Sequence, residues 1–268
     1  MENVIDYYSS FDEWGRLDRE PIEFRINLHY IKQYLPPEGK VLDNGAGPGK
    51  YAMELANLGL RVTLSDLTPR LVEWAKEKAD ELQVTKQFDG FHVLNAANLH
   101  GLPNEEFDAS LMLGPLYHLQ QEEERIQAVE ELFRVTKKGG IVFVAFQTRT
   151  RMTINSLRDP QHWKPNDTLD SINKFRADGI FNHADKGRFT GAYFFPLHDI
   201  KPFMASHGFE AIELIGSSSI GGMLSEEQKQ YWKERGEERQ LTDLLIEYAK
   251  DPSILGVSSH LLYIGRRK

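Results

Sequence analysis

The chain has 268 residues, of which 40% are hydrophobic and 27% charged, and its formal net charge is −8. This composition supports a hydrophobic core, and no apolar run approaches the ~20 residues of a membrane helix. The absence of cysteine excludes disulfides, a thiolate nucleophile and cysteine metal ligands, and the acidic balance argues against nucleic acid as a ligand. The N-terminal sequence lacks the basic start and apolar stretch of a signal peptide, so we expect a cytoplasmic protein without membrane association.

The first half of the chain alternates predicted helices with short β-rich runs. Its predicted elements, in chain order, are a helix from Glu20 to Leu35, strand VLDN, a helix from about Lys50 to Leu58, strand RVTLSD, a helix from N-cap Thr68 and Pro69 to about Leu82, strands FHVLNA and FDASLMLG, a helix from about Gln121 to Thr136, and strand IVFVAF. This alternation predicts an α/β fold in which helices wrap a mostly parallel sheet.

The second half is less regular. Residues 147 to about 191 are polar and mixed, and their sequence gives no clear element. A helix and a strand are predicted in PLHDIKPFMASHGFEAIELIG, residues 225–250 are charged and helical, and SSHLLYIGRR predicts a last strand. We read a single domain, 1–268, made of an N-terminal lid (1–36), a ligand-binding core (37–146), a substrate-side insertion (147–198) and a C-terminal part of the sheet (199–268).

The strongest motif is a glycine-rich turn between the first strand and the helix after it. In VLDNGAGPGK the glycines form G-x-G-x-G, with Asp43 just before the loop and Asp66 21 residues after Gly45. A dinucleotide site uses G-x-G-x-x-G, and an unpaired carboxylate at Asp43 would repel its pyrophosphate. NAD-dependent oxidoreduction is therefore disfavoured, and the pattern favours a ligand that carries a cation and no phosphate.

S-adenosylmethionine has those features, because it carries an ammonium, a sulfonium, a carboxylate and a ribose diol. Asp43 can serve the ammonium directly or through water, and the helix N-terminus attracts the carboxylate. Glycines allow the backbone to approach the ligand closely. Asp66 ends the second strand, where its oxygens can accept from both ribose hydroxyls.

These residues resemble the cofactor-binding half of class I S-adenosylmethionine-dependent methyltransferases of the small-molecule, type 11-like kind. The similarity runs from about Glu38 to Phe146, and weakly to the C-terminus. It implies a Rossmann-like, doubly wound seven-stranded sheet with an antiparallel last strand, an N-terminal helical lid and an insertion after strand 5. It also implies methyl transfer from S-adenosylmethionine to an O, N or S atom of a small acceptor, with S-adenosylhomocysteine as product.

The same resemblance implies a set of cofactor-binding residues. Leu67 would pack on the adenine, and Asn95 stands where the family usually has an aspartate that accepts from the adenine amino group. Asn95 keeps an amide oxygen without the charge, and a strand-end cap is the alternative interpretation. The full set comprises Asp43, Gly45, Ala46, Gly47, Gly49, Asp66, Leu67, Asn95, Ala96, Leu113 and Gly114.

The acceptor side is less well defined by the sequence. Tyr117 and His118 follow the fourth strand at the carboxyl edge of the predicted sheet, and His183 in the insertion is a further candidate base. The alternative interpretation of His118 is a histidine bonded to backbone at the start of a helix. The aromatic run AYFF could be a wall of the acceptor pocket, and its alternative interpretation is a core strand. A base is not obligatory, since the sulfonium is already a strong electrophile. Four aromatic or basic residues are candidates for a lid, with an ordinary surface-packed segment as the alternative: Tyr7, Tyr8, Trp14 and Arg16.

Other chemistries lack their motifs. The nine histidines show no metal-binding spacing, and there is no G-x-S-x-G nucleophile elbow, so we expect neither a metal site nor serine hydrolysis. Two alternatives stay open: methylation of RNA or a protein, and a regulatory protein that binds the cofactor without turnover. The expected partner is a small-molecule acceptor rather than nucleic acid, and a homodimer is left open.

Overall fold

The computed structural model of the protein describes residues 14–15, 21–185 and 191–268. Strands of its main sheet are β1 (Lys40–Asn44), β2 (Arg61–Asp66), β3 (Phe88–Val93), β4 (Phe107–Met112), β5 (Thr136–Phe146), β8 (Phe209–Gly216) and β9 (Leu261–Arg267). A separate pair consists of β6 (Ile180–Phe181) and β7 (Ala192–Tyr193).

Helices connect and cover these strands. They are α1 (Pro21–Tyr34), α2 (Lys50–Asn57), α3 (Pro69–Glu81), α4 (Pro115–His118), α5 (Glu122–Val135), α6 (Arg149–Arg158), α7 (Leu169–Asp178), α8 (Ile200–Ser206), α9 (Glu226–Glu234), α10 (Glu238–Tyr248) and α11 (Pro252–Leu255). Short 3-10 turns occur at Thr85–Gln87, Leu197–Asp199 and Ser219–Met223. In the part of the chain so described, no helix is both long and apolar enough to cross a membrane.

The seven strands lie in the order β3-β2-β1-β4-β5-β9-β8. Strands β1 to β5 pair in parallel, whereas β9 runs antiparallel to both β5 and β8. The predicted seven-stranded sheet with an antiparallel last strand is confirmed. Because the strand order reverses between β1 and β4, their carboxyl ends border the crevice in which open α/β folds bind ligands. The amino end of β9 reaches the same edge, where Leu261 pairs with Phe146.

Two hydrophobic clusters cover the two faces of the sheet. Successive strand residues point to opposite faces, so Leu111 joins one cluster and Met112 the other, as do Phe143 and Val144. All four side chains are fully buried. The central strands are therefore covered on both faces, which explains why their sequences are nearly continuous apolar runs.

Several predicted boundaries were wrong. The third strand begins at Phe88 rather than Phe91 and ends before the turn at Leu94–Ala96, and the fifth begins at Thr136 rather than Ile141. The unassigned segment contains α6, α7 and β6. The predicted charged helix near the C-terminus is two helices, separated at Gly236, whose φ is 72°.

Candidate active site

The glycine loop joins β1 to α2 and lies against two neighbouring elements. Gly45 has a φ of 74°, and a side chain there would overlap the ring of Pro115 at the start of α4. Gly49 has a φ of 82°, and a Cβ there would lie 2.7 Å from Leu64 Cδ1. Only glycine fits both the backbone angles and the space. The amides of Gly45 and Ala46 donate to the Ser65 carbonyl at 2.8 and 3.0 Å, which ties the loop to β2.

Asp43 is a buried carboxylate at the end of β1, with 2% of its surface exposed. Burial, followed by repulsion from Asp66, raises the pKa of Asp43 to about 7, although a hydrogen bond from the Ala52 amide opposes the rise. Its Oδ2 atom has no hydrogen-bond partner among the described residues. A buried acceptor of this kind is unfavourable unless it meets a proton or a cationic group.

Asp66 ends β2 and holds the backbone of two loops. Its Oδ2 accepts from the Gly47 amide and its Oδ1 from the Thr68 amide, both at 2.8 Å. Thr68 is the N-cap of the next helix, as predicted, although its side chain makes no capping hydrogen bond. Asp66 fixes the position of this N-cap residue by accepting from its amide. A carboxylate offers about four acceptor positions, so these bonds are compatible with further donors from a ribose.

The predicted adenine side lies in the turn after β3. Asn95 Oδ1 accepts from the Ala97 amide at 3.0 Å, and the Asn95 carbonyl accepts from the Asn98 amide at 2.8 Å. This is the strand-end cap that was the alternative interpretation of Asn95, so any contact with adenine stays a prediction. Ala96 is buried beside this turn, and Leu67 after β2 is half-buried.

The end of β4 brings the glycine loop close to the acceptor-side candidates. A Cβ on Gly114, which follows the half-buried Leu113, would lie 4.0 Å from the Gly45 carbonyl oxygen and 3.8 Å from the Tyr117 hydroxyl. Tyr117 is buried, and its ring centroid lies 5.0 Å from that of His118. The structure therefore groups these predicted residues at the carboxyl edge of the sheet.

Residues that the sequence did not single out complete this edge. The His260 ring lies 5.5 Å from the Tyr117 ring. His260 Nδ1 is 2.8 Å from Glu23 Oε2, and His260 Nε2 is 2.9 Å from Gln147 Nε2. Glu23 belongs to α1, Gln147 follows β5, and His260 precedes β9. No local pattern indicated this cluster, because its members are separated by more than one hundred residues along the chain.

The part of the chain that contains the glycine loop is similar to known proteins. Residues 42–144 match a family model described as a methyltransferase domain. This part of the chain is a class I S-adenosylmethionine-dependent methyltransferase domain. The fold is shared with the 1,6-didemethyltoxoflavin-N1-methyltransferase of Burkholderia thailandensis, solved with 1,6-didemethyltoxoflavin and S-adenosylhomocysteine bound. The TM-score is 0.60 at 14% identity, over 100% of this chain and 88% of that chain.

Two curated relatives match part of the chain. A ubiquinone biosynthesis O-methyltransferase of Xanthomonas axonopodis pv. citri is 33% identical over 126 residues, covering 47% of this chain and 50% of that protein. A tRNA (carboxymethyluridine(34)-5-O)-methyltransferase of Arabidopsis thaliana is 35% identical over 115 residues, covering 41% of this chain and 24% of that protein. The matched stretch thus spans half or less of each relative's length.

The insertion after β5 packs as a small aromatic core of its own beside the methyltransferase domain. His183 Nε2 donates to the His162 carbonyl at 2.9 Å, and its Nδ1 accepts from the Asp185 amide at 3.1 Å. Both ring nitrogens thus contact backbone, so the geometry gives no support to His183 as a base. Phe194 and Phe195 are buried, as the core interpretation of AYFF predicted.

Trp14 is the lid candidate that the structure describes, whereas Tyr7, Tyr8 and Arg16 lie outside the described residues. The Nζ atoms of Lys50 and Lys78 lie 5.4 and 5.3 Å from the centre of a Trp14 ring. Lys50 is the first residue of α2, directly after the glycine loop. The indole therefore lies between side chains from the first turn of α2 and the last turn of α3.

Metal coordination has no candidate ligand set in the described part of the chain. Among residues 14–15, 21–185 and 191–268, no group of three or more histidine and acidic side chains is arranged to hold a metal ion.

Proposed function

We propose that the protein transfers the methyl group of S-adenosylmethionine to an O, N or S atom of a small-molecule acceptor. The observation that supports this most strongly is the buried Asp43 Oδ2 beside the glycine loop, without a partner among the described residues. Asp43 has a pKa raised to about 7, first by burial and then by Asp66, and a ligand ammonium would offset both effects. When bound, S-adenosylmethionine supplies a methyl group on a cationic sulfur that is ready for nucleophilic attack.

The residues around the loop fit the rest of that molecule. Asp43 would hold the ammonium and Asp66 the ribose hydroxyls, while the positive end of the α2 helix dipole would attract the carboxylate. Leu67, Asn95 and Ala96 would contact the adenine, and the backbone of Leu113 and Gly114 the methionine part. These side chains bind and orient the cofactor, and the buried walls exclude water from it.

A small acceptor fits the acceptor side better than a polymer. Glu23 of α1 contacts His260 at the carboxyl edge of the sheet, and the net charge of −8 disfavours a phosphate backbone. One relative is named for ubiquinone biosynthesis and a structural neighbour for a small heterocycle. Because another relative is named for tRNA, RNA methylation is the alternative that the assay must include.

Titration calorimetry tests the cofactor assignment. S-adenosylmethionine and S-adenosylhomocysteine should both bind the parent protein, and Asp66→Ala should weaken binding about 10- to 100-fold, because it removes a buried hydrogen-bond acceptor. Asp170→Ala is the matched control, since Asp170 is an exposed acid in the first turn of α7. Equal affinity of Asp66→Ala and the parent would contradict the ribose assignment.

A transfer assay then tests the acceptor class. The protein is incubated with methyl-labelled S-adenosylmethionine and, separately, with a low-molecular-mass filtrate, total RNA and total protein of a cell extract. Label in the filtrate supports the proposal, whereas label in RNA or protein alone overturns it. Cofactor binding without transfer to any fraction would favour the regulatory alternative.

A further inference from the structure

Three side chains from distant parts of the chain form a hydrogen-bonded relay at the carboxyl edge of the sheet. Glu23 Oε2 lies 2.8 Å from His260 Nδ1, and Gln147 Nε2 lies 2.9 Å from His260 Nε2. Glu23 and His260 are mostly buried, with about one fifth of each side chain exposed. Gln147 is buried as well. The imidazole is therefore held at both nitrogens in a largely desolvated place.

The chemistry of the two partners determines the tautomer of His260. A carboxylate can only accept a hydrogen bond, so the Nδ1 that faces Glu23 carries the proton. An amide nitrogen can only donate, so the Nε2 that faces Gln147 presents its lone pair. A histidine whose Nδ1–H is held by a carboxylate is oriented to accept a proton at Nε2, and the carboxylate stabilises the imidazolium that results.

The relay lies next to the cofactor-binding edge. Its imidazole is in ring contact with Tyr117, whose hydroxyl approaches Gly114, and Gly114 approaches the glycine loop at Gly45. Glu23 and Tyr117 are the titratable side chains that the described contacts place against His260. One aromatic side chain thus lies between the imidazole of His260 and the backbone that would face the methionine part of the cofactor.

We propose that His260 is the general base for the methyl transfer, that Glu23 positions it, and that the acceptor atom is the oxygen of a hydroxyl group. This inference rests on the proposed function. The oxygen forms a bond to the methyl carbon, the carbon–sulfur bond breaks with its electron pair left on sulfur, and the hydroxyl proton moves to His260 Nε2. The products are a methyl ether and S-adenosylhomocysteine, and the imidazolium beside Glu23 then loses its proton to solvent.

A hydroxyl is the acceptor that needs such a base. A neutral hydroxyl is a weak nucleophile at neutral pH, whereas an acceptor that is already an anion gains little from proton removal. Gln147 occupies the Nε2 lone pair in the described conformation, so its amide must move aside for the acceptor. We therefore assign Gln147 as the group that keeps Nε2 deprotonated and in place before the acceptor arrives.

The tautomer is tested on the full chain saturated with S-adenosylhomocysteine, with ¹⁵N-labelled histidine and long-range ¹H–¹⁵N NMR. His260→Gln identifies the signal. The expected pattern above neutral pH is a protonated Nδ1 and an unprotonated Nε2, and Glu23→Gln should disturb it while His198→Gln leaves it unchanged. His198 is a control because its side chain is 85% exposed. A protonated Nε2 in the neutral ring would overturn the proposal.

Turnover is tested with a matched pair of phenolic probes, catechol and 4-nitrocatechol, and with the small-molecule filtrate of a cell extract. His260→Gln should lower kcat for catechol about 100-fold or more, with unchanged affinity for S-adenosylmethionine. The fall in kcat should be much smaller for 4-nitrocatechol, which is largely ionised at the assay pH. For catechol, the fall in kcat should become smaller as the pH rises. Glu23→Gln should show a weaker form of the same pattern, and Glu23→Asp should restore part of the rate.

The outcomes separate this inference from the proposed function. Equal losses for both probes, or no loss in His260→Gln, would overturn the base assignment while leaving methyl transfer intact. A parent protein that binds S-adenosylhomocysteine but methylates neither the probes nor the filtrate would contradict the proposed function. In that case the NMR experiment still decides whether Nε2 is available as an acceptor.

Discussion

Replacing Asp43 by asparagine separates the cost of burying this carboxylate from its use in binding. The pKa of Asp43 is raised from 3.8 to about 7 by burial and by repulsion from Asp66. Asparagine has nearly the same shape and can still accept from the Ala52 amide, but it carries no charge. The variant should therefore be more stable than the parent wherever Asp43 is ionised in the folded protein.

The sign and the size follow from the two pKa values. A raised carboxyl pKa gives stability that is fully present below the unfolded value of 3.8 and is lost as the pH rises through about 7. At about 1.4 kcal/mol per pH unit, the difference between the folded and unfolded pKa values of Asp43 corresponds to about 4 kcal/mol of unfolding free energy. Relaxation around the charge reduces this figure, so we expect Asp43→Asn to gain about 2–4 kcal/mol at about pH 8, and the gain to diminish towards pH 4.

Urea unfolding of both proteins across this pH range measures the difference. Asp108→Asn is a control of opposite sign, because bonds from Lys137 and the Lys40 amide outweigh partial burial and lower the pKa of Asp108. That variant should lose stability at neutral pH, and the loss should disappear on acidification below pH 3.8. An Asp43→Asn protein that is less stable than the parent at every pH would refute the reasoning about Asp43.

Although Asp43→Asn should stabilise the fold, it should weaken cofactor binding. The carboxylate of Asp43 is the proposed partner of the ligand ammonium, so Asp43→Asn should bind S-adenosylmethionine about 10- to 100-fold more weakly near pH 8. The parent should lose affinity as the pH falls below about 7, because Asp43 then takes up a proton that competes with the ammonium. The variant should lack this pH dependence in calorimetric titrations. Equal pH dependence in both proteins would show that another group is responsible.

Further variants test the loop, the insertion and the lid. Gly45→Ala should lower the urea unfolding free energy by about 3–5 kcal/mol, because the methyl group overlaps Pro115, whereas Gly59→Ala, with a similar φ and open space, should lose only about 1–2 kcal/mol. Arg149→Met should increase hydrogen exchange across α7, because Arg149 donates to carbonyls at its C-terminus; the exposed Arg158→Met should not. Trp14→Ala should weaken S-adenosylmethionine binding about 3- to 10-fold by calorimetry if Trp14 helps to close the site, and unchanged affinity would contradict the lid.

The central sheet could be predicted from the sequence because its signals are local. The run RVTLSD is the second strand with no boundary error, since its apolar residues are buried on both faces, Gly59 follows the helix before it, and Thr68-Pro69 begins the helix after it. The bounds predicted for the third strand were wrong because β3 lies at the edge of the sheet, where its residues are only partly buried. An edge strand has one neighbour and one protected face, so its apolar pattern is weak.

The insertion carried signals that sequence reasoning missed. The side chains of Thr148 and Thr168 accept from the amides of Arg151 and Ser171, and each threonine begins a helix. Threonine at an N-cap is an ordinary helix-start signal, so α6 and α7 were accessible from the sequence. The polar composition of the two helices hid them, because their buried stripes are short and pack on each other and on the β6–β7 pair rather than on the main sheet.

The cofactor side and the acceptor side differ in how they are encoded. Asp43, the glycine loop and Asp66 lie close together in the sequence, and the family model matches this part of the chain, residues 42–144. Relatives that match the chain over 126 and 115 residues are named for ubiquinone biosynthesis and for tRNA, so the family match at residues 42–144 does not determine the acceptor. Glu23, Gln147 and His260 all lie outside it, and folding brings them together from α1, the end of β5 and the start of β9. The proposed base and its partners are therefore assembled by long-range contacts, and variants at those three positions should lower methyl transfer to a hydroxyl acceptor while leaving cofactor affinity unchanged.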